Sequence, residues 1–201
     1  MSEASRTYPR RVELGGSPVD IAPMTPADRN ALVGFVASLP LHDLLFLRRD
    51  ISHPKVVDAW MRAIDAAELT SLVARDGGAM VGCTAILGDA LSWSRHVGEL
   101  RVLVSPAWRG KGLGRVLVQE CFAQALALGL KKLVAQMTTD QRAAIAVFEE
   151  LGFKAEALLA RHVMDREGKL HDLVLLSHDV DAADARHDLY GLSDALGGAA
   201  A

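Results

Sequence analysis

The chemistry-bearing part of this sequence lies where three glycines fall within five positions. The run Val102-Leu103-Val104-Ser105-Pro106-Ala107-Trp108-Arg109-Gly110-Lys111-Gly112-Leu113-Gly114-Arg115 reads as a buried strand, a turn and the start of a helix. Glycine lets a backbone take positive φ and approach a ligand closely. Several N–H groups then converge at the positive end of a helix, which suits phosphate oxygens. Arg109, Lys111 and Arg115 add charge that a phosphate would pair with. Two widespread phosphate motifs do not fit. A P-loop puts four residues between its glycines and follows its Lys with Ser or Thr, whereas Lys111 is followed by Gly112. A dinucleotide turn spaces its glycines G-x-G-x-x-G, and the spacing here is G-x-G-x-G.

Other reactive side chains carry weaker signals. Cys83 and Cys121 are far apart and build neither a disulfide framework nor a metal cluster, so both are expected to be buried apolar residues in a reducing compartment. His162, His171 and Asp172 share the last predicted hairpin without compact metal-ligand spacing, and are expected as exposed strand residues with no metal, contact with an acceptor being the alternative. Trp60 is expected to pack on its helix, and Trp93 is a candidate wall for a second substrate.

The elements that must position the turn follow from periodicity. Val19–Ala22 predicts a strand. Thr25-Pro26-Ala27-Asp28 predicts a capped helix start, with the helix running to about Leu39 before Pro40. A second helix is predicted from Pro54, with Val57, Trp60, Met61 and Ile64 at helical spacing. Thr70–Arg75 and Met80–Leu87 flank Asp76-Gly77-Gly78 and predict a hairpin. Further predictions are a strand over Val97–Val104, a helix over Gly112–Leu128, a strand over Lys132–Met137 and a helix over Thr138–Leu151. A last hairpin is predicted from Ala157–Met164 and Leu170–Ser177. The order implies one mixed α/β (α+β) domain over residues 18–180, between flexible tails at 1–17 and 181–201.

Composition narrows the function. The 201 residues are 50% apolar and 23% charged, which supports a folded core. Twenty-two basic against 25 acidic residues argue against nucleic-acid binding as the main role. The polar first twenty residues and the absence of a long apolar run argue against secretion and membranes, so a cytoplasmic protein is expected.

With the turn in view, the sequence resembles the GNAT superfamily of acyl-CoA-dependent N-acetyltransferases. Their signature Q/R-x-x-G-x-G/A is met by Arg109, Gly112 and Gly114. The later segment Ala144-Ile145-Ala146-Val147-Phe148-Glu149-Glu150-Leu151-Gly152-Phe153 resembles the family's A-I-x-L-Y-E-K-x-G-F helix. The resemblance implies a mostly antiparallel central sheet with flanking helices. Val97–Val104 and Lys132–Met137 would be parallel neighbours that splay apart to admit acetyl-CoA. Its pantetheine arm would bond the backbone around Val102, Leu103 and Val104. Its pyrophosphate would sit on the N–H groups of Gly110, Lys111, Gly112, Leu113, Gly114 and Arg115, beside Arg109.

The implied reaction is direct acetyl transfer to a primary amine, on a small molecule or peptide, in a ternary complex. It requires removal of an amine proton, stabilisation of the carbonyl oxygen and departure of a thiolate. Glu99 is the first candidate base, at a position where the family often places a carboxylate; pairing with Arg101 on the same strand face is the alternative. The strand position used as a base by some ribosomal-protein acetyltransferases is Gln136, which cannot act as one. The family's helix Tyr is matched by Phe148, expected to wall the pantetheine. Its Asn is matched by Gln141, which either reaches the pantetheine or closes a capping box with Thr138. The only tyrosines are Tyr8 and Tyr190, so the thiolate is protonated by water, by another group or by a tail folding back. His42, Asp43 and Asp50 lie where the family shapes its acceptor pocket, and are expected as solvated loop charges. The alternative is a catalytically weak acyl-CoA-binding or sensing module; monomer and homodimer both remain open.

Overall fold

The computed structural model describes residues 6–47 and 49–180. The tail at 181–201, and Tyr190 within it, lies outside the described residues. Nine strands form one sheet: β1 Arg10–Leu14, β2 Ser17–Pro23, β3 Leu69–Thr70, β4 Leu72–Asp76, β5 Ala79–Leu87, β6 Val97–Val104, β7 Lys132–Thr138, β8 Lys154–Met164 and β9 Leu170–Asp179. Among the described residues four α-helices flank it: α1 Arg29–Ala37, α2 Pro54–Asp65, α3 Leu113–Ala127 and α4 Arg142–Glu150. Neighbours run β1-β2-β4-β5-β6-β7-β9-β8, with β3 beside β5. Every pairing is antiparallel except β6 with β7.

That parallel pair makes the opening. β6 and β7 are registered only over Val97–Glu99 and Lys132–Val134, although β6 continues to Val104 and β7 to Thr138. Beyond Glu99 the strands part. Each keeps its outer ladder, β6 with β5 up to Val104 and β7 with β9 up to Thr138. The gap therefore leaves inner backbone edges available without unravelling the sheet.

Alternation along the strands builds a core on each face. Val73, Cys83, Ala85, Leu103 and Leu173 pack under α1 and α2. Leu100, Leu133, Ala135 and Leu176 pack with Val118, Cys121 and Phe122 of α3 and Phe148 of α4. Both cysteines are fully buried, as expected, and burial pushes each thiol up to about 12. No helix among the described residues is long and apolar enough to cross a membrane.

The amino end departs from the expected tail. Arg10–Leu14 forms β1, paired with β2 through Gly15 and Gly16, both at positive φ. Alternation before a Gly-Gly pair is a hairpin signal, and it was present in the sequence. A buried charge fixes the hairpin to α3. Glu120 is fully buried; it pairs with Arg10, lies 3.2 Å from Arg6 Nη1 and accepts a hydrogen bond from the Tyr8 hydroxyl at 2.8 Å. Gln124 Nε2 donates to the same hydroxyl at 3.1 Å. Burial pushes the Tyr8 phenol up, and Glu120 adds to the rise.

Candidate functional site

The parted ends of β6 and β7 open into a cavity of about 680 Å³, within the range of small-molecule sites, roughly 300–1,000 Å³. Leu100 and Val102–Val104 form one wall; Ala135, Gln136 and Met137 form the other. The glycine turn closes one side through Arg109, Gly110, Gly112, Gly114 and Arg115. Gln141, Val147 and Phe148 come from the start and body of α4. Leu39, His42, Asp43 and Phe46 reach in from the segment after α1, which includes a short 3₁₀ turn over Leu41–Leu44.

The turn has the backbone its glycines predict. Gly110 has φ +71°, with nothing within 4 Å of where a Cβ would stand. Gly112 has φ +87° and is the N-cap of α3, so the free N–H groups of that helix's first turn begin directly after it. Trp108 is buried and anchors the turn. The Lys111 ammonium lies 4.7 Å from the Trp108 ring centroid, and its stem packs on Gly15. Lys111 and Leu113 do not line the cavity; Leu113 is fully buried in the core. Arg109 donates to Asp43 at 2.5 Å, and Arg115 pairs with Glu150.

The other sequence candidates separate. Glu99 sits on the face of β6 shared with Leu103 and does not line the cavity. Its Oε1 accepts from Arg101 Nε at 2.9 Å and Nη2 at 2.7 Å. Phe148 is buried, lines the cavity and packs edge-on against Phe153 at 4.9 Å. Gln141 lines the cavity and caps α4 without a side-chain bond; Thr138 stays in β7, so their capping box does not form. Tyr8 is held on Glu120 and does not line the cavity. Trp93 is 96% exposed in a loop that contributes nothing to it.

Three residues that sequence spacing kept apart come together. His42 Nε2 lies 2.7 Å from Asp140 Oδ2, and the His42 ring meets the His171 ring edge-on at 5.1 Å. His171 is not the exposed strand residue expected; its Nε2 sits 2.7 Å from Asp165 Oδ2. His162 is exposed, and Asp172 accepts from the Arg161 N–H at 2.7 Å instead of joining the group. The Thr138 hydroxyl, and then the neighbouring His42, hold the Asp140 carboxyl below its usual range. These residues lie about 30 to 130 positions apart in sequence, so no local motif marks them. Asp50 is elsewhere, paired with Arg166 at 2.7 Å.

Comparison with known proteins matches residues 41–153 to the acetyltransferase (GNAT) family model. The chain is 29% identical over 160 residues to an L-amino acid N-acyltransferase of Escherichia coli, covering 76% of this chain and 91% of that protein. It is 31% identical over 125 residues to an L-methionine sulfoximine/L-methionine sulfone acetyltransferase of Salmonella typhimurium, covering 61% and 72%. Among solved structures, yncA of Salmonella typhimurium, determined with its cofactor acetyl-CoA, superposes with a TM-score of 0.66. That pair is 25% identical, covering 82% of this chain and 95% of the other.

Proposed function

Because the chain belongs to the GNAT family of acetyltransferases, we propose that it transfers an acetyl group from acetyl-CoA to the α-amine of a small amino acid, by direct attack in a ternary complex. The observation that carries this reading is the continuity of one cavity from the glycine turn into the gap between β6 and β7. Acetyl-CoA supplies the activated thioester. The N–H groups from Gly110 to Arg115 would hold its pyrophosphate, with Arg109 and Arg115 adding charge. The inner edge of Val102–Val104 would hold the pantetheine by backbone hydrogen bonds. Phe148 and Val147 would exclude water from its flank. The amino-acid acceptor is supported by the named activities of two relatives, both amino-acid or amino-acid-analogue acyltransferases.

Calorimetry with acetyl-CoA, followed by thiol release over a panel of amino acids, polyamines and short peptides, tests the reading. Saturable binding with release on amino acids is expected. Binding without release on any amine would favour a sensing module. Absence of binding would overturn the phosphate assignment.

A further inference from the structure

The proposed reaction must move a proton from the amine, and among the described residues no tyrosine, lysine or cysteine lines the cavity to help. Its titratable lining residues are His42, Asp43, Arg109, Arg115, Asp140 and Arg142. Guanidinium groups keep their protons at any working pH. Asp43 is paired with Arg109, and Asp140, whose carboxyl is held below its usual range, is a poor base at neutral pH. That leaves one imidazole. Its Nε2 is buried 2.7 Å from Asp140 Oδ2 but not aligned for a well-formed hydrogen bond, and no hydrogen bond from a described residue occupies Nδ1. Thr138 Oγ1, fully buried, makes no well-formed hydrogen bond, although it lies near enough to Asp140 to favour its charged form. Buried polar atoms left this way mark a site rather than inert packing.

We propose that His42 is the proton-transfer residue of this enzyme, with Asp140 as its positioning residue. This rests on the acetyl-transfer reading above. The amine attacks in its neutral form; Asp140 keeps the Nε2 proton in place, so Nδ1 accepts the one proton that the amine nitrogen sheds. The new N–C bond forms, the C–S bond breaks, and the proton on the imidazolium passes to the departing sulfur. Atoms and charge balance without a further reactant. One group thus covers both proton steps, which accounts for phenylalanine at position 148. Around His42 the charged or titratable groups are Asp140 from the turn after β7, His171 from β9 with Asp165 behind it, and neighbouring Asp43 on Arg109. Asp140 favours the imidazolium; a protonated His171 would oppose it.

The test uses the full chain and the acceptor that the wild type turns over best. Thiol-release kinetics are measured from about pH 5.5 to 9, on either side of the usual histidine range. His42→Gln is expected to lower kcat about 100-fold, within the span of general acid–base contributions. Its acetyl-CoA Kd is expected to stay unchanged, and the acidic limb of kcat to flatten. Asp140→Asn is expected to move that limb to lower pH, since imidazolium loses its carboxylate while the base remains. Asp140 is exposed, so this variant keeps the test open should His42→Gln misfold. His42→Gln within about twofold of wild type, or a limb unmoved by Asp140→Asn, overturns the assignment. A wild type that binds acetyl-CoA but acetylates nothing overturns the acetyl-transfer reading instead.

Discussion

The glycine turn and the histidine–carboxylate group face the same cavity but are built in opposite ways. The turn is one continuous run, Val102 to Arg115, whose contribution is mainly backbone N–H groups and positive φ. The histidine–carboxylate group is made of side chains alone, from the segment after α1, the β7–α4 turn and the β8–β9 hairpin. A ligand held by backbone leaves a local signature, because glycine spacing and backbone geometry are coupled. Proton chemistry done by side chains needs only their final positions, and the chain can deliver these from anywhere. The division also separates the two jobs: one region should govern acetyl-CoA affinity and the other turnover.

The largest effect that would sharpen this division is at Gly112. Gly112→Val forces a β-branched residue to φ +87° at the N-cap of α3. The free turn is expected to relax from that φ, and restoring it on binding at about 1–3 kcal/mol corresponds to a roughly 5- to 150-fold weaker acetyl-CoA Kd by calorimetry, with kcat at saturation kept. A smaller effect of opposite sign is expected at Asp43, which occupies Arg109 at 2.5 Å. Asp43→Asn frees that guanidinium for phosphate and should tighten acetyl-CoA binding about threefold, with the gain lost at high salt.

Glu99 bears on the division from outside the cavity. With Oε1 on Arg101, it is expected to hold that guanidinium in place, and Glu99→Gln should leave kcat within about threefold of wild type. A fall beyond about tenfold, with a flattened acidic limb, would return the base to β6. The smallest effect on rate is expected at Tyr8. Tyr8→Phe should leave kcat and KM unchanged while costing about 1–2 kcal/mol of stability in chemical denaturation, because the buried Glu120 loses a donor.

The same contrast explains what the sequence made legible. β6 has the bounds its apolar run predicts, and α3 starts within one residue of expectation, because Gly112 and Gly129 mark its ends. α4 begins later than predicted. Thr138 pairs with Leu173 in the β7–β9 ladder, and that long-range pairing overrides a local capping pattern. The first hairpin is hard to read from sequence because polar Arg10, Arg11 and Glu13 mask a short alternation, and its anchor, Glu120, lies 110 residues from Arg10. At the site, the turn and Phe148 were readable from local pattern. His42 and Asp140 were not, since neither sits in a motif and their meeting depends on how α1 and β7 pack on the sheet.

Binding and proton transfer thus belong to these two regions separately. Initial rates of thiol release, measured against acetyl-CoA concentration for the wild type, Gly112→Val and His42→Gln, test it most directly. Gly112→Val is expected to raise KM for acetyl-CoA and keep kcat, while His42→Gln is expected to lower kcat and keep KM. If both variants change the same parameter to a similar degree, or if His42→Gln turns over like the wild type, the division is contradicted.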